Sequence, residues 1–337
     1  VKAFYISKHG GPEVCVYATD YPDPVAKAGE VVLRVRASTL NYHDIFTRRG
    51  MPGITLDLPV VPGLDVAGEV ADIGKGVEGW SIGDRVVVDP INRVSRGTVG
   101  ETIDGGLAEY CVVPAHQLVR VPDNVDFDTA AVMPTAYATA LRMMFTNGRV
   151  SAGEKVGILG ASGGVGVCCV QLARLAGAEV VAFASSQDKL DRLKALGADH
   201  VINYQEKDFL GEIHALYGKP SRRGPKSANG LDVIVNYTGG DTWVKSLQTL
   251  RVGGRLLTCG ATAGFDPKED IRYIWVFELQ VLGSNAYTRE DIEKCLQLAS
   301  EGKLKALIDE TYPLENAAQA FARVEERRVL GKVVVHP

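Results

Sequence analysis

The chain holds 337 residues, 46% of them apolar, with 37 glycines; it is too long for one compact core and fits an α/β protein of two domains better than a bundle or a disordered chain. Its 37 Lys and Arg against 41 Asp and Glu leave a net charge of −4 with both signs spread along the sequence, so nucleic acid and anionic lipid meet no sustained basic surface. No apolar run reaches the roughly 18 residues of a membrane span, and Val1-Lys2-Ala3-Phe4 lacks the apolar core of a secretory leader. The cysteines, Cys15, Cys111, Cys168, Cys169, Cys259 and Cys295, lie in apolar segments without a CxxC pair, the pattern of reduced core thiols. A cytoplasmic place is expected, with a processed organellar form left open.

In chain order, residues 1–125 carry short β patterns. Gly29 to Arg36, Asp65 to Ile73, Asp84 to Val88 and Ala108 to Val113 alternate or run apolar between Gly, Pro and Asp, which predicts a twisted, partly barrel-shaped antiparallel domain. From Asp126 the rhythm changes to helix and then to strand–helix repeats, with strands near 155–159, 179–184, 200–203, 231–236, 254–259 and 278–284. Such a series predicts a doubly wound parallel sheet. The tail from Thr288 shows two helical patterns and then Gly331-Lys332-Val333-Val334-Val335, a strand expected to return to the first domain. The domains are therefore expected at 1–125 with 287–337, and at 126–286. The last sheet strand, Glu278 to Ser284, is the expected edge for self-association. A basic loop with Arg222, Arg223 and Lys226 reads as a solvated connection, the sharper alternative being a seat for the phosphates of an acyl-CoA.

The segment Lys155-Val156-Gly157-Ile158-Leu159-Gly160-Ala161-Ser162-Gly163-Gly164-Val165-Gly166 runs an apolar strand into a glycine-rich turn and a helix. A pyrophosphate needs close backbone approach and free N–H donors, and a helix N-terminus behind glycines supplies both. The turn reads Ala161-x-Gly163-x-x-Gly166, with alanine at the first glycine of the usual fingerprint. An NAD site usually ends its second strand on Asp or Glu, which binds the ribose hydroxyls. Here that position is Ala184, followed by Ser185, Ser186 and, in the next turn, Lys189. Missing acid plus hydroxyls and a cation favours a 2′-phosphate, hence NADPH. A plain helix N-cap at Ser186 and a solvated Lys189 would explain each residue singly.

These segments resemble the medium-chain dehydrogenase/reductase superfamily, and within it the zinc-independent quinone oxidoreductase and enoyl reductase branch. The residues that carry the resemblance are Leu40-Asn41-Tyr42-His43-Asp44-Ile45, Pro62-Gly63-Leu64-Asp65-Val66-Ala67-Gly68, Gly83-Asp84-Arg85-Val86, Gly105-Gly106-Leu107-Ala108-Glu109-Tyr110, the Gly163 to Gly166 turn, Leu196 to Tyr204 and Gly331-Lys332-Val333-Val334. The resemblance implies a Rossmann fold for the sheet, a GroES-like fold for the first domain, a small-molecule substrate and a homodimer or homotetramer. It assigns Ser185, Lys189 and Tyr204 to the 2′-phosphate, and Tyr137 and Thr139 to a segment lining the nicotinamide pocket. Ser162, Gly163, Gly164 and Val165 are expected at the pyrophosphate. Gly260, Ala261, Ser284 and Asn285, at the C-terminal ends of sheet strands, are expected beside the nicotinamide half.

Zinc-dependent members of the superfamily hold their catalytic metal at positions matching Asn41, Leu64 and Thr135, with Asp65 matching the following acid. Neither an amide nor an alkyl chain replaces thiolate or imidazole in a tetrahedral zinc set, so no catalytic zinc is expected. The segment 89–104, where those enzymes carry a structural zinc, contains no cysteine. Reducing an isolated ketone means stabilising an alkoxide, the work of a Lewis acid, whereas a quinone or conjugated alkene yields a delocalised anion. The reaction expected is therefore reduction of a quinone or of the C=C bond of an α,β-unsaturated carbonyl, with an enoyl-CoA as alternative substrate and a nucleotide-binding protein as the alternative of another class. Asn41 is the first candidate donor near nicotinamide and substrate carbonyl, with Tyr42 and His43 on the same loop as candidate proton sources. Asp44 reads as structural.

Overall fold

The computed structural model describes residues 1–51 and 55–337, the side chain of Lys226 excepted. The chain divides into two compact units, Val1–Ala138 with Thr288–Pro337, and Thr139–Tyr287.

The first unit opens with the hairpin β1 (Ala3–Ile6) and β2 (Cys15–Ala18), and continues with β3 (Glu30–Thr39), α1 (Tyr42–Arg49), β4 (Asp65–Ile73) and β5 (Arg85–Val88). Two short strands, β6 (Ile91–Asn92) and β7 (Gly97–Thr98), precede β8 (Tyr110–Pro114), β9 (Leu118–Arg120) and α2 (Phe127–Val132). The second unit begins at α3 (Thr139–Leu141) and alternates β10 (Lys155–Ile158), α4 (Gly164–Leu175), β11 (Glu179–Ala184), α5 (Gln187–Leu196), β12 (His200–Asn203) and α6 (Phe209–Tyr217). It ends with β13 (Leu231–Val235), α7 (Thr242–Thr249), β14 (Leu250–Thr258), α8 (Ile271–Val276) and β15 (Gln280–Gly283). The chain then re-enters the first unit with α9 (Arg289–Ser300), β16 (Ile308–Pro313), α10 (Ala317–Glu325) and β17 (Lys332–His336).

In the second unit all six strands pair in parallel in the order β12-β11-β10-β13-β14-β15, the doubly wound sheet that the strand–helix rhythm predicts. Parallel neighbours need helical crossovers, and each connection here is long enough to supply one. Phe183, Ile202, Ile213, Ile234, Leu247 and Leu256 fill its core. All six C-terminal strand ends share one edge of this sheet, and β15 closes the series on one side.

The first unit is a mixed seven-stranded sheet, ordered β16-β17-β3-β4-β5-β9, with β8 also on β3. Val31, Leu33, Val66, Val70, Val86 and Val88 face one core, while Leu40, Ile45, Phe321, Val333 and Val335 share another with α1 and α10. The closing strand β17 pairs antiparallel with β3, Val334 opposite Thr39, as the tail pattern predicts. One strand departs from the antiparallel expectation. Residues 308–313 form a strand, too exposed to show a period-2 pattern, and it pairs parallel with β17 because α10 carries the chain back to the same end.

Candidate active site

Beyond Ile158 the chain turns at Gly160, whose φ of +66° belongs to the left-handed region that favours glycine. Two other glycines of the turn differ in what surrounds them. A β-carbon at Gly166 would lie 2.4 Å from the Gly160 carbonyl oxygen and 2.6 Å from Ala161 Cα, so helix and strand are packed too closely for any side chain. At Gly163, the N-cap of α4, the nearest atom would be 3.4 Å away, so the protein itself leaves room there. That open face lies before the first-turn N–H groups, which have no intrahelical acceptor, at Ser162, Gly163, Gly164 and Val165, where the pyrophosphate is expected. Gly166→Ala is expected to cost about 1–3 kcal/mol of stability, whereas Gly163→Ala should spare stability and weaken nucleotide binding. Urea unfolding beside a fluorescence titration with nicotinamide nucleotide checks both, and equal stability loss in the two variants would contradict the distinction.

Tyr237 supports this turn, a part not evident from the sequence. Ile158 and Val235 are partners in the β10–β13 register, so Gly160 and Tyr237 each follow two residues beyond, and the Tyr237 hydroxyl donates to the Gly160 carbonyl at 2.5 Å. Burial pushes this phenol well above its ordinary pKa, keeping it neutral and able to donate. Asn236 shapes the same strand end, its Oδ1 accepting from the N–H groups of Thr238 and Gly239, both at 3.0 Å.

Two of the residues expected at the 2′-phosphate, Ser185 and Tyr204, are brought to neighbouring strand ends by the β11–β12 register, which pairs Ala184 with Asn203. Ser185 and Tyr204 each follow directly, and the Tyr204 N–H bonds the Ala184 carbonyl at 3.2 Å. Ser186 is the N-cap of α5 but makes no side-chain cap bond, and Lys189 lies in that helix's first turn. Tyr204 is 43% exposed, and Ser185 is half-exposed. Thr139 and Ser284 are buried, the Ser284 hydroxyl accepting from Asn147 Nδ2 at 2.9 Å, while Gly260, Ala261 and Asn285 are exposed. The basic loop precedes β13, at the sheet edge opposite the glycine turn, where Lys219 and Arg222 border a cavity of about 590 Å³.

In the first unit Asn41 and Thr135, two of the positions that match metal ligands of zinc-dependent members, belong to a hydrogen-bonded network with Asp65. Asp65 is fully buried: its Oδ1 accepts from Thr135 N at 3.0 Å, and its Oδ2 from Thr39 Oγ1 and Asn41 Nδ2, both at 2.8 Å. The ammonium of Lys332, 3% exposed, donates to Leu40 O at 2.8 Å, to Asn41 Oδ1 at 2.6 Å and to Asp65 Oδ2 at 3.3 Å. Only donors bond Asn41 Oδ1 and only acceptors bond Nδ2, which fixes the amide's orientation. One Nδ2 hydrogen remains for a further acceptor. Zinc does not fit this set: Leu64 offers no donor atom, Asn41 Oδ1 is engaged by a cation, and the Asp65 carboxylate already neutralises that cation. No cluster of three or more His, Cys, Asp and Glu able to hold a metal occurs among the described residues.

Asn41 is also the N-cap of α1, so Tyr42 and His43 begin the helix and diverge. The Tyr42 ring packs edge-on to Phe46, with centroids 5.1 Å apart, and the Arg327 guanidinium lies 5.8 Å from its centroid. The His43 side chain is 36% exposed, and its Nε2 bonds the carboxylate of Glu101, whose side chain is 9% exposed. Burial works against the imidazolium, but the Glu101 bond and charge, with Asp44, outweigh it and raise the His43 pKa. Asp44 has the structural part expected of it, its carboxylate accepting from Asn41 N at 2.7 Å and Gly63 N at 2.9 Å. Burial lifts its pKa to about 6 against those two backbone bonds. Tyr137 is fully buried, its hydroxyl donating to Lys305 O at 3.1 Å and accepting from Leu307 N at 3.0 Å, a core position instead of the pocket-lining one that the resemblance implies.

Comparison with known proteins agrees with both units. Residues 27–123 match the alcohol dehydrogenase GroES-like domain family and residues 164–301 the zinc-binding dehydrogenase family. A quinone oxidoreductase of Sus scrofa is 30% identical over 99% of this chain and 97% of its own length. The crystal structure of an NAD-dependent alcohol dehydrogenase aligns over 100% of both chains at 35% identity and a TM-score of 0.91. A 2-octenoyl-CoA carboxylase reductase, solved with NADP and 2-octenoyl-CoA, aligns over 99% of this chain and 87% of its own at 27% identity and a TM-score of 0.86. With a parallel dinucleotide sheet, a GroES-like unit and these relatives along its length, the chain belongs to the medium-chain dehydrogenase/reductase superfamily of nicotinamide-dependent oxidoreductases.

Proposed function

We propose that this chain is an NADPH-dependent reductase that adds hydride to a quinone or to the C=C bond of an α,β-unsaturated carbonyl compound, without a catalytic zinc. The Asn41–Asp65–Lys332 network supports this reading: an amide fixed by a buried ion pair stands at one of the positions that match metal ligands of zinc-dependent members. A site of this kind offers hydrogen bonds to a delocalised enolate or phenolate, not Lewis-acid support for an alkoxide. When bound, the nicotinamide supplies the hydride. Asn41 Nδ2 donates its remaining hydrogen to the substrate carbonyl, and His43 returns a proton to the reduced product. Enoyl thioesters belong to the same acceptor class.

Preference for NADPH is supported by this chain's own residues, Ala184 in place of an acid with Ser185, Lys189 and Tyr204 around it; the 35% identical solved structure is of an NAD-dependent enzyme. NADPH is expected to bind more tightly than NADH by about 1.5–3 kcal/mol, the worth of hydrogen bonds to a charged group. Lys189→Ala should narrow that gap. Equal affinities in the unmodified protein would remove the basis for a 2′-phosphate seat. Consumption of NADPH against a panel of quinones, enals, enones and enoyl-CoAs tests the reaction itself. Nucleotide binding without turnover on any acceptor would leave a binding protein.

A further inference from the structure

Glu101 belongs to segment 89–104, which contains neither cysteine nor histidine. Its place is tightly defined. Gly100, with a φ of +75°, packs so closely on Gly63 that a β-carbon would lie 2.9 Å from the Gly63 carbonyl carbon, and one at Gly105 would lie 2.5 Å from the Gly63 oxygen. Gly63 in turn donates its N–H to Asp44, the residue after His43. The turn that carries Glu101 and the helix start that carries His43 are thus fastened to the same backbone segment, and the two side chains meet across 58 residues of sequence. A carboxylate this buried needs a partner. Its hydrogen-bond partner is the half-exposed imidazole.

We infer that Glu101 is a positioning residue for proton delivery, holding His43 through Nε2 so that Nδ1–H faces the substrate. This inference builds on the proposed role of His43 as proton donor. Hydride addition to the β-carbon leaves an enolate; the Nδ1–H bond then breaks, its proton forms the new C–H bond at the α-carbon, and the electron pair stays on Nδ1. The neutral ring keeps its Nε2–H on Glu101, and solvent restores the proton at Nδ1. The Glu101 carboxylate stabilises the imidazolium before transfer, as a carboxylate orients and charges a histidine in other acid–base sites. The charged groups acting on His43 are Glu101 from segment 89–104 and Asp44 from its own helix.

The test compares the unmodified protein with Glu101→Gln, Glu101→Asp and His43→Gln. The His43 ring is titrated by proton NMR without substrate, and kcat is measured against pH on an enone that the panel shows to be reduced. In Glu101→Gln the His43 titration and the alkaline fall of kcat should both move to lower pH by about one pH unit or more, the effect of losing an adjacent carboxylate charge. Glu101→Asp should keep most of the original profile, and KM for NADPH should stay unchanged in both. A His43 titration unmoved in Glu101→Gln overturns the role given to Glu101, even if His43→Gln abolishes the alkaline fall. Full turnover with an unchanged pH profile in His43→Gln overturns instead the proton-donor reading beneath it.

Discussion

Lys332→Met is expected to lower the stability of this protein by about 3–5 kcal/mol, because it removes one partner of a buried pair and leaves the other charged. Asp65 is fully buried, and its remaining bonds come from neutral donors, Thr39, Asn41 and Thr135. Burial itself weighs against the Lys332 charge, lowering its pKa against the pull of Asp65 and Asp44. A lysine pKa depressed on folding means that the folded chain gives up its proton more readily than the unfolded one. Stability therefore rises with pH between the two values. The ammonium is a cost that Asp65 makes tolerable. The double variant Asp65→Asn/Lys332→Met should thus recover much of what Lys332→Met loses, since replacing both members of such a pair is often near neutral. Urea unfolding of Lys332→Met, Asp65→Asn and the double variant checks this, and additive losses would show that the two groups do not compensate each other. The same comparison bears on the site, because Lys332→Met frees Asn41 Oδ1 and allows its amide to turn.

Lys332 shows how far a sequence alone reaches. A lysine inside Gly331-Lys332-Val333-Val334-Val335 is an odd residue in a buried strand, and that oddness is legible. Its partners are not, since Leu40, Asn41 and Asp65 meet it only once β17 lies beside β3. The six parallel strands and their order of appearance were readable because each is a short apolar run set off by Gly, Pro or a helical pattern. β16 was not, because an exposed edge strand such as Ile308–Pro313 has no buried face to print a period on its residues. Tyr237 lies between the two cases. Its segment could be placed at a strand end, but its bond to Gly160 follows from a register that no local pattern encodes. The Glu101–His43 contact is less legible still, depending on loop packing at Gly63.

His43→Gln is expected to lower kcat by about two to four orders of magnitude, the usual worth of a positioned general acid. NADPH affinity should not change, because the turn and the Ser185, Lys189 and Tyr204 group belong to other elements. The loop should persist as well: Asn41 N and Gly63 N bond Asp44, and Asn41 Nδ2 bonds Asp65, none of them through the imidazole. Burial disfavours the imidazolium, Glu101 and Asp44 favour it, and the balance raises the His43 pKa, so the acid form persists to higher pH than in a free histidine. Turnover should then fall as pH climbs through that raised value, at higher pH than a free histidine would allow. A histidine pKa raised on folding also gives stability that is complete below its unfolded value and is lost as pH rises through the folded one. Unmodified protein should therefore lose a small increment of stability over the same pH interval in which turnover falls, and His43→Gln should lose neither. With water as the proton source, kcat would change by less than about tenfold and the alkaline fall would survive in the variant. Paired pH profiles of kcat and of the unfolding midpoint separate these outcomes, because a merely structural histidine would move the second curve and leave the first in place.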